Sequence, residues 1–112
     1  MLNSQVSIIW KQLMSKTTVR VVARVVALPD KVEEVKSVLI GLLEPTRQED
    51  GCIIYELLHN HEDPTDFTFV EEWESQTLLD AHLASAHIAQ AKSQLDGLVA
   101  TEPDIRLYRL LA

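Results

Sequence analysis

Residues 18–28 read Thr-Val-Arg-Val-Val-Ala-Arg-Val-Val-Ala-Leu, a run dense in β-branched side chains that stops at Pro29 and so predicts a first strand with its end. From Asp30 the period changes. Val32, Val35, Val38, Leu39, Leu42 and Leu43 recur every three or four residues while Lys31, Glu33, Glu34 and Lys36 fill the opposite side, which predicts an amphipathic helix with Asp30 as its N-cap. Pro45 disfavours a helical Glu44, so the helix is expected to end between Leu43 and Glu49, before a turn at Asp50-Gly51. Cys52 to Asn60 and Asp66 to Glu74 read as two strands, and the polar stretch His61 to Thr65 is of hairpin length. Ser75 is placed to cap a helix bearing Leu78, Leu79, His82 and Leu83. Ser85 is placed to cap another bearing Ile88, Ala91, Leu95 and Leu98, ending near Gly97. Ile105, Leu107 and Leu110 mark a last strand over Asp104 to Leu111.

The order β-α-β-β-α-α-β predicts an α+β, ferredoxin-like domain: a four-stranded antiparallel sheet with helices on one face. Alternation sets Val19, Val21, Ala23, Val25 and Ala27 against Arg20, Val22, Arg24, Val26 and Leu28. It likewise sets Cys52, Ile54, Glu56 and Leu58 against Ile53, Tyr55 and Leu57, and Phe67, Phe69, Glu71 and Trp73 against Thr68, Val70 and Glu72. Neither sheet face is simply polar, so the face without helices needs a cover, and a second copy of the chain is the expected one. A homodimer follows, with Arg24, Glu71 and Arg109 near the sheet-to-sheet interface. Residues 1–17 stand outside this plan as an N-terminal extension. Their apolar patch of Val6, Ile8, Ile9, Trp10, Leu13 and Met14 reads either as a docking helix or as a weakly ordered overhang before a start at Met14, leaving 18–112 as the domain.

Composition narrows the function classes. A chain of 112 residues with 46% hydrophobic and 24% charged residues has the makings of one folded domain. With 17 acidic against 10 basic residues its net charge is -7, which argues against nucleic acid or an anionic membrane surface as partner. No apolar run approaches the roughly 20 residues needed to span a bilayer, and the first residues lack the basic and apolar regions of a secretory signal. A cytoplasmic protein is expected. Cys52 stands alone, which excludes an intrachain disulfide and a four-cysteine zinc site and suits a small buried hydrophobe better than a nucleophile.

Candidate chemistry lies in a few side chains. His82 shares a helix face with Leu78, Leu79 and Ala86 and so points inward, either as a base or as a core histidine bonded to a carbonyl. His87 stands near the start of the next helix, where the dipole favours a neutral ring. Phe69 and Trp73 lie four apart on one strand face and read as core or as a flat wall for a planar ligand, with Phe67 beside them. Glu71 lies between them and needs a partner, for which Arg24 is the default, with a catalytic carboxylate as the alternative. Tyr55 points to the helix side, to line a pocket or to pack. His59-x-His61 flanks a loop, and two ligands without a third make a weak metal site.

Three stretches in order, Arg47 to Leu57 with Gly51-Cys52 and Tyr55-Glu56-Leu57, Phe67 to Ser75 with Glu72-Trp73-Glu74, and Ala81 to His87 with His82-Leu83, resemble the antibiotic biosynthesis monooxygenase family, particularly its quinol-monooxygenase-like branch. The resemblance runs over about residues 18–111. It implies a dimeric α+β barrel with a pocket between sheet and helices in each subunit, and oxygenation of electron-rich phenols or quinols by O2 without metal or flavin. His82 and His87 are then the candidate bases, Tyr55, Phe69, Glu71 and Trp73 the candidate substrate-binding residues, and no cofactor or metal is expected. Haem-degrading enzymes share the fold, but their Asn-Trp-His triad would fall near Ala23, His82 and Lys92, and none of the three matches. A non-catalytic small-molecule-binding module and a proton-transfer isomerase of the same superfamily remain the alternatives.

Overall fold

The computed structural model describes residues 17–112. What was expected of the 1–17 extension therefore lies, Thr17 aside, outside the described residues. Strand β1 (Val19–Val26) is followed by helices α1 (Val32–Ile40) and α2 (Leu43–Arg47), strands β2 (Cys52–His59) and β3 (Asp66–Trp73), helices α3 (Gln76–Leu83) and α4 (Ala86–Leu95), and strand β4 (Asp104–Tyr108). The four strands form one antiparallel sheet in the order β2-β3-β1-β4. This is the α+β, ferredoxin-like arrangement that the periodicities predict.

Register decides which face each side chain takes. Val21 pairs with Glu71, Ala23 with Phe69 and Val25 with Phe67. Residues directly opposed in an antiparallel ladder share a face. All six are buried against the helices, where Val35, Leu39, Leu79, Ala91 and Leu95 complete the core. Arg24 pairs with Thr68 and lies on the other face, so it does not meet Glu71; it pairs instead with Asp66, Nε to Oδ1 at 3.1 Å. Glu71 is on the helix side, away from the face where a sheet-to-sheet contact was expected, and Glu56, paired with Val70, is on the opposite side from it.

Local departures have local causes. Helix α1 starts after Lys31 without a side-chain cap bond, so Asp30 is not its N-cap. The helix stops at Ile40 and resumes as α2, which carries Pro45 in its first turn, where a missing N–H leaves no hydrogen bond unmade. Ser75 and Ser85 cap α3 and α4 as expected, accepting from the Leu78 and Ile88 amides at 3.2 and 3.4 Å. In β2 the ladder slips between Cys52, opposite Trp73, and Ile54, opposite Glu72. The extra residue, Ile53, is a β-bulge, and it lets Cys52 and Tyr55 both face the core although they are an odd three positions apart. Strand β4 is short and exposed along its length, ending at Tyr108 rather than Leu111 and leaving Arg109 beyond it.

Candidate active site

The sequence supplies the site from three segments that meet at one end of the helical layer. Helix α3 buries Leu79 and His82, three residues apart and hence on one face. The Ser85 hydroxyl donates to the His82 carbonyl at 2.6 Å while capping α4, which holds the α3–α4 corner and sets His87 in the first turn of α4. The third segment is the turn between α2 and β2. Gly51 there has φ 84°, and a side chain on it would collide with Leu78, so glycine is required on both counts. That turn delivers Glu49.

Glu49 Oε2 accepts hydrogen bonds from His82 Nδ1 at 2.6 Å and His87 Nε2 at 3.1 Å. A carboxylate oxygen only accepts, so the proton of the His82 ring is on Nδ1 and its Nε2 carries the lone pair. Nε2 has no hydrogen-bond partner among the described residues. His82 is 2% exposed, and burial holds its imidazole below the ordinary histidine range, with the Glu49 hydrogen bond opposing that shift only in part. The ring is therefore neutral near pH 7.

Aromatic rings enclose it. Trp73 lies 4.6 Å from the His82 ring, centroid to centroid, and Tyr55 meets it edge-on at 5.5 Å, while Tyr55 stacks on Phe69 at 4.8 Å. The Arg47 guanidinium donates twice to the Tyr55 carbonyl, at 3.0 and 2.8 Å, and pins this part of β2. The Trp73 indole donates to Glu71 Oε1 at 2.8 Å. Burial pushes the Glu71 carboxyl above its ordinary range, the Trp73 hydrogen bond offsets part of this, and the charge of Glu49 adds to it. Burial likewise raises the Tyr55 phenol, so its hydroxyl is a proton donor at neutral pH.

Tyr55, Phe69, Glu71 and His82 line a cavity of about 80 Å³ between sheet and helices. Lys92, Leu95, Pro103 and Ile105 line it on the side of β4 and also line an adjoining cleft of about 560 Å³. The inner space is small beside the 300–1,000 Å³ of typical ligand pockets, so a ring larger than a small phenol requires the Pro103–Ile105 side to yield.

The expected site residues thus divide. His82, Tyr55, Phe69 and Glu71 come together at the cavity. Trp73 is wholly buried behind His82 and is not part of the cavity wall, and His87 faces a separate groove between α1 and α4. His59 Nε2 donates to the Pro64 carbonyl at 2.8 Å and its ring stacks on Phe67, which ties it to its own hairpin. Glu49 was missed. In sequence it is one more acid before a Gly turn, and no local pattern reveals that it meets a histidine 33 residues away. Glu49, His82 and His87 also form the group of potential metal ligands among the described residues, with donor atoms within 4.8 Å of one another.

The pattern of the family described as antibiotic biosynthesis monooxygenase matches residues 18–94. A Mycobacterium tuberculosis protein named "Putative monooxygenase Rv0793" is 33% identical over 85 residues, 76% of this chain and 82% of that one. The Synechocystis protein sll1783 is 29% identical over 82 residues, and the matched part spans 56% of its length. Among solved structures, a conserved protein from Methanosarcina mazei Go1 superposes with TM-score 0.81 at 34% identity, covering 88% of this chain and 97% of that one. A structure titled antibiotic biosynthesis monooxygenase gives 0.79 at 28% identity, covering 84% and 99%. Family pattern, relatives and superpositions agree with the fold: the chain belongs to the antibiotic biosynthesis monooxygenase family.

Proposed function

We propose that this chain is a cofactor-independent monooxygenase that oxidises an electron-rich aromatic, a quinol or an anthrone-like phenol, with O2. The observation that carries the reading is the buried His82, which lines the cavity and is held by Glu49 through Nδ1, leaving Nε2 as the basic atom of the ring. A base oriented by a carboxylate is the arrangement that proton abstraction needs.

Deprotonation at Nε2 gives a carbanion or phenolate, electron-rich enough to pass one electron to O2. The resulting superoxide and substrate radical combine, and the proton held by His82 goes to the peroxide. With an anthrone-type substrate, loss of water then converts the ring CH2 to C=O, so that CH2 plus O2 yields C=O plus H2O with all electrons supplied by the substrate. The low-polarity walls of Tyr55 and Phe69 favour a planar ring, and the Tyr55 hydroxyl and the Glu71 carboxyl, which line the same cavity, would hold its oxygen substituents. Glu49 is a positioning residue in this scheme. The monooxygenase name carried by Rv0793 supports the reaction class.

A homodimer is part of the same proposal. The sheet face without helices presents Val22, Ile54, Leu58 and Tyr108, which are 37%, 36%, 52% and 49% exposed, interspersed with Arg20, Arg24, Glu56 and Arg106, and these exposed apolar side chains support a second copy as the cover of this face. One observation favours a second reading. A base at His82 facing a carboxyl of raised proton affinity at Glu71 also suits a proton-transfer isomerase.

Oxygen consumption with a panel of reduced naphthoquinols and anthrones tests the proposal. Turnover is expected in the native chain and a loss of about 10²–10⁴ in His82→Ala with the fold retained. No oxygen uptake across the panel, together with exchange of substrate protons into deuterated water, would transfer the assignment to the isomerase.

A further inference from the structure

Helix α3, the first turn of α4 and the α2–β2 turn bring two imidazoles and one carboxylate together from positions 49, 82 and 87. We propose that Glu49 Oε2, His82 Nδ1 and His87 Nε2 form a binding site for a divalent first-row transition ion, Zn2+ being the probe of choice. The site is distinct in kind from the His59-x-His61 pair, whose first ring is tied to the Pro64 carbonyl and which belongs to no group of three potential ligands among the described residues.

Ligand type comes first. Two neutral imidazoles and a carboxylate form the set that first-row ions accept while keeping open positions for water or another ligand, whereas Mg2+ and Ca2+ prefer oxygen alone. The spacing is close to what an ion needs. Ligands held at roughly 2.0–2.2 Å from one tetrahedral ion stand about 3.3–3.6 Å apart. His87 Nε2 is 3.1 Å from Glu49 Oε2, the 2.6 Å contact to His82 Nδ1 has to open by about 0.7–1 Å, and the two ring nitrogens, within 4.8 Å of each other, have to turn toward a common point.

The protons can be accommodated. Each ring points a nitrogen at Glu49, and an ion bound to those two nitrogens requires any remaining ring proton to sit on the other nitrogen. Surroundings favour the ion: Glu49 and His87 side chains are 19% and 25% exposed, which gives a path from solvent, while His82 at 2% provides a dry inner wall. The net charge of -7 adds a long-range attraction for cations.

A consequence rests on the function proposed above. An ion on His82 Nδ1 forces the ring proton onto Nε2, and the atom offered to the cavity changes from a base to a hydrogen-bond donor. The ion-free protein is then the form able to abstract a proton, and zinc switches it off.

The experiment titrates chelator-treated full-length protein with Zn2+ against a chromophoric chelator, and with Co2+ by visible absorption, neither of which requires turnover. One ion per chain is expected, with affinity falling at least tenfold in Glu49→Gln and in His87→Ala. The double variant His59→Ala/His61→Ala should bind like the native chain. Circular dichroism of each variant separates loss of a ligand from loss of the fold. Absence of binding at 100 µM Zn2+ (about the weakest affinity worth calling a site), or affinity unchanged in folded Glu49→Gln and His87→Ala, overturns the site. Stoichiometric binding in a protein that never consumes O2 sustains the site and removes the oxygenase reading instead.

Discussion

Truncating Glu49 to alanine should cost stability almost wholly through one of its two histidines. His82 Nδ1–H lies in a side chain 2% exposed, and removing Glu49 takes away its acceptor among the described residues. A buried donor left unsatisfied costs about 1–3 kcal/mol. His87 sits 3.1 Å from the same oxygen but is 25% exposed, so water takes over its N–H, and an exposed pair of this kind contributes about 0–1 kcal/mol. Glu49→Ala is therefore expected to destabilise by about 1–4 kcal/mol, the sum of these two contributions. For a domain near this size, 1 kcal/mol moves Tm by roughly 4–8 °C, so the drop is easily measured. Two double-mutant cycles, Glu49→Ala with His82→Ala and Glu49→Ala with His87→Ala, read the couplings separately by urea denaturation in chelator-containing buffer. The His82 coupling should exceed 1 kcal/mol (about the lower limit of the buried-donor cost) and the His87 coupling should be well below it. Equal couplings, or a larger one for His87, would refute the claim that burial decides which contact matters. Nitrogen-15 spectra provide a direct check, since the native chain should show His82 protonated at Nδ1.

Three further outcomes follow from other parts of the molecule. Because burial raises the Glu71 carboxyl, its favourable contribution is complete below the ordinary value of 4.5 and is lost as pH rises through the folded-state value. The stability of Glu71→Gln relative to the native chain should therefore increase with pH from about 4 to 8, and a pH-independent difference would contradict it. Gly51→Ala, strained at φ 84° and blocked by Leu78, should lose more than about 1 kcal/mol in chemical denaturation; a neutral result would mean that the turn relaxes freely. The proposed dimer should sediment as such at micromolar concentration and dissociate in Leu58→Lys or Val22→Asp, whereas a monomeric native chain would leave the apolar sheet face without its expected cover.

Periodicity alone was enough for the elements, because a strand alternates every two residues and a helix repeats every three or four whatever it packs against. Ser75 and Ser85 were legible as caps for the same reason: a cap bond spans three residues and needs nothing from the rest of the fold. The inward position of His82 was legible too, since Leu78 and Leu79 mark its helix face. Face assignments across strands were not. Alternation says that Glu71 sides with Phe69 and Trp73, but only the β1–β3 register, which sets Val21 rather than Arg24 beside that row, decides that Glu71 has the Trp73 indole for a partner and Arg24 has Asp66. The bulge at Ile53 shifts the parity of β2, so that Cys52 and Tyr55 share a side that strict alternation denies them. Glu49 marks the limit of the sequence most clearly. Its role exists only because a turn after α2, the last turn of α3 and the first turn of α4 are packed at one corner, and the attraction between a carboxylate and two imidazoles acts over a few ångströms of space and not over distance along the chain.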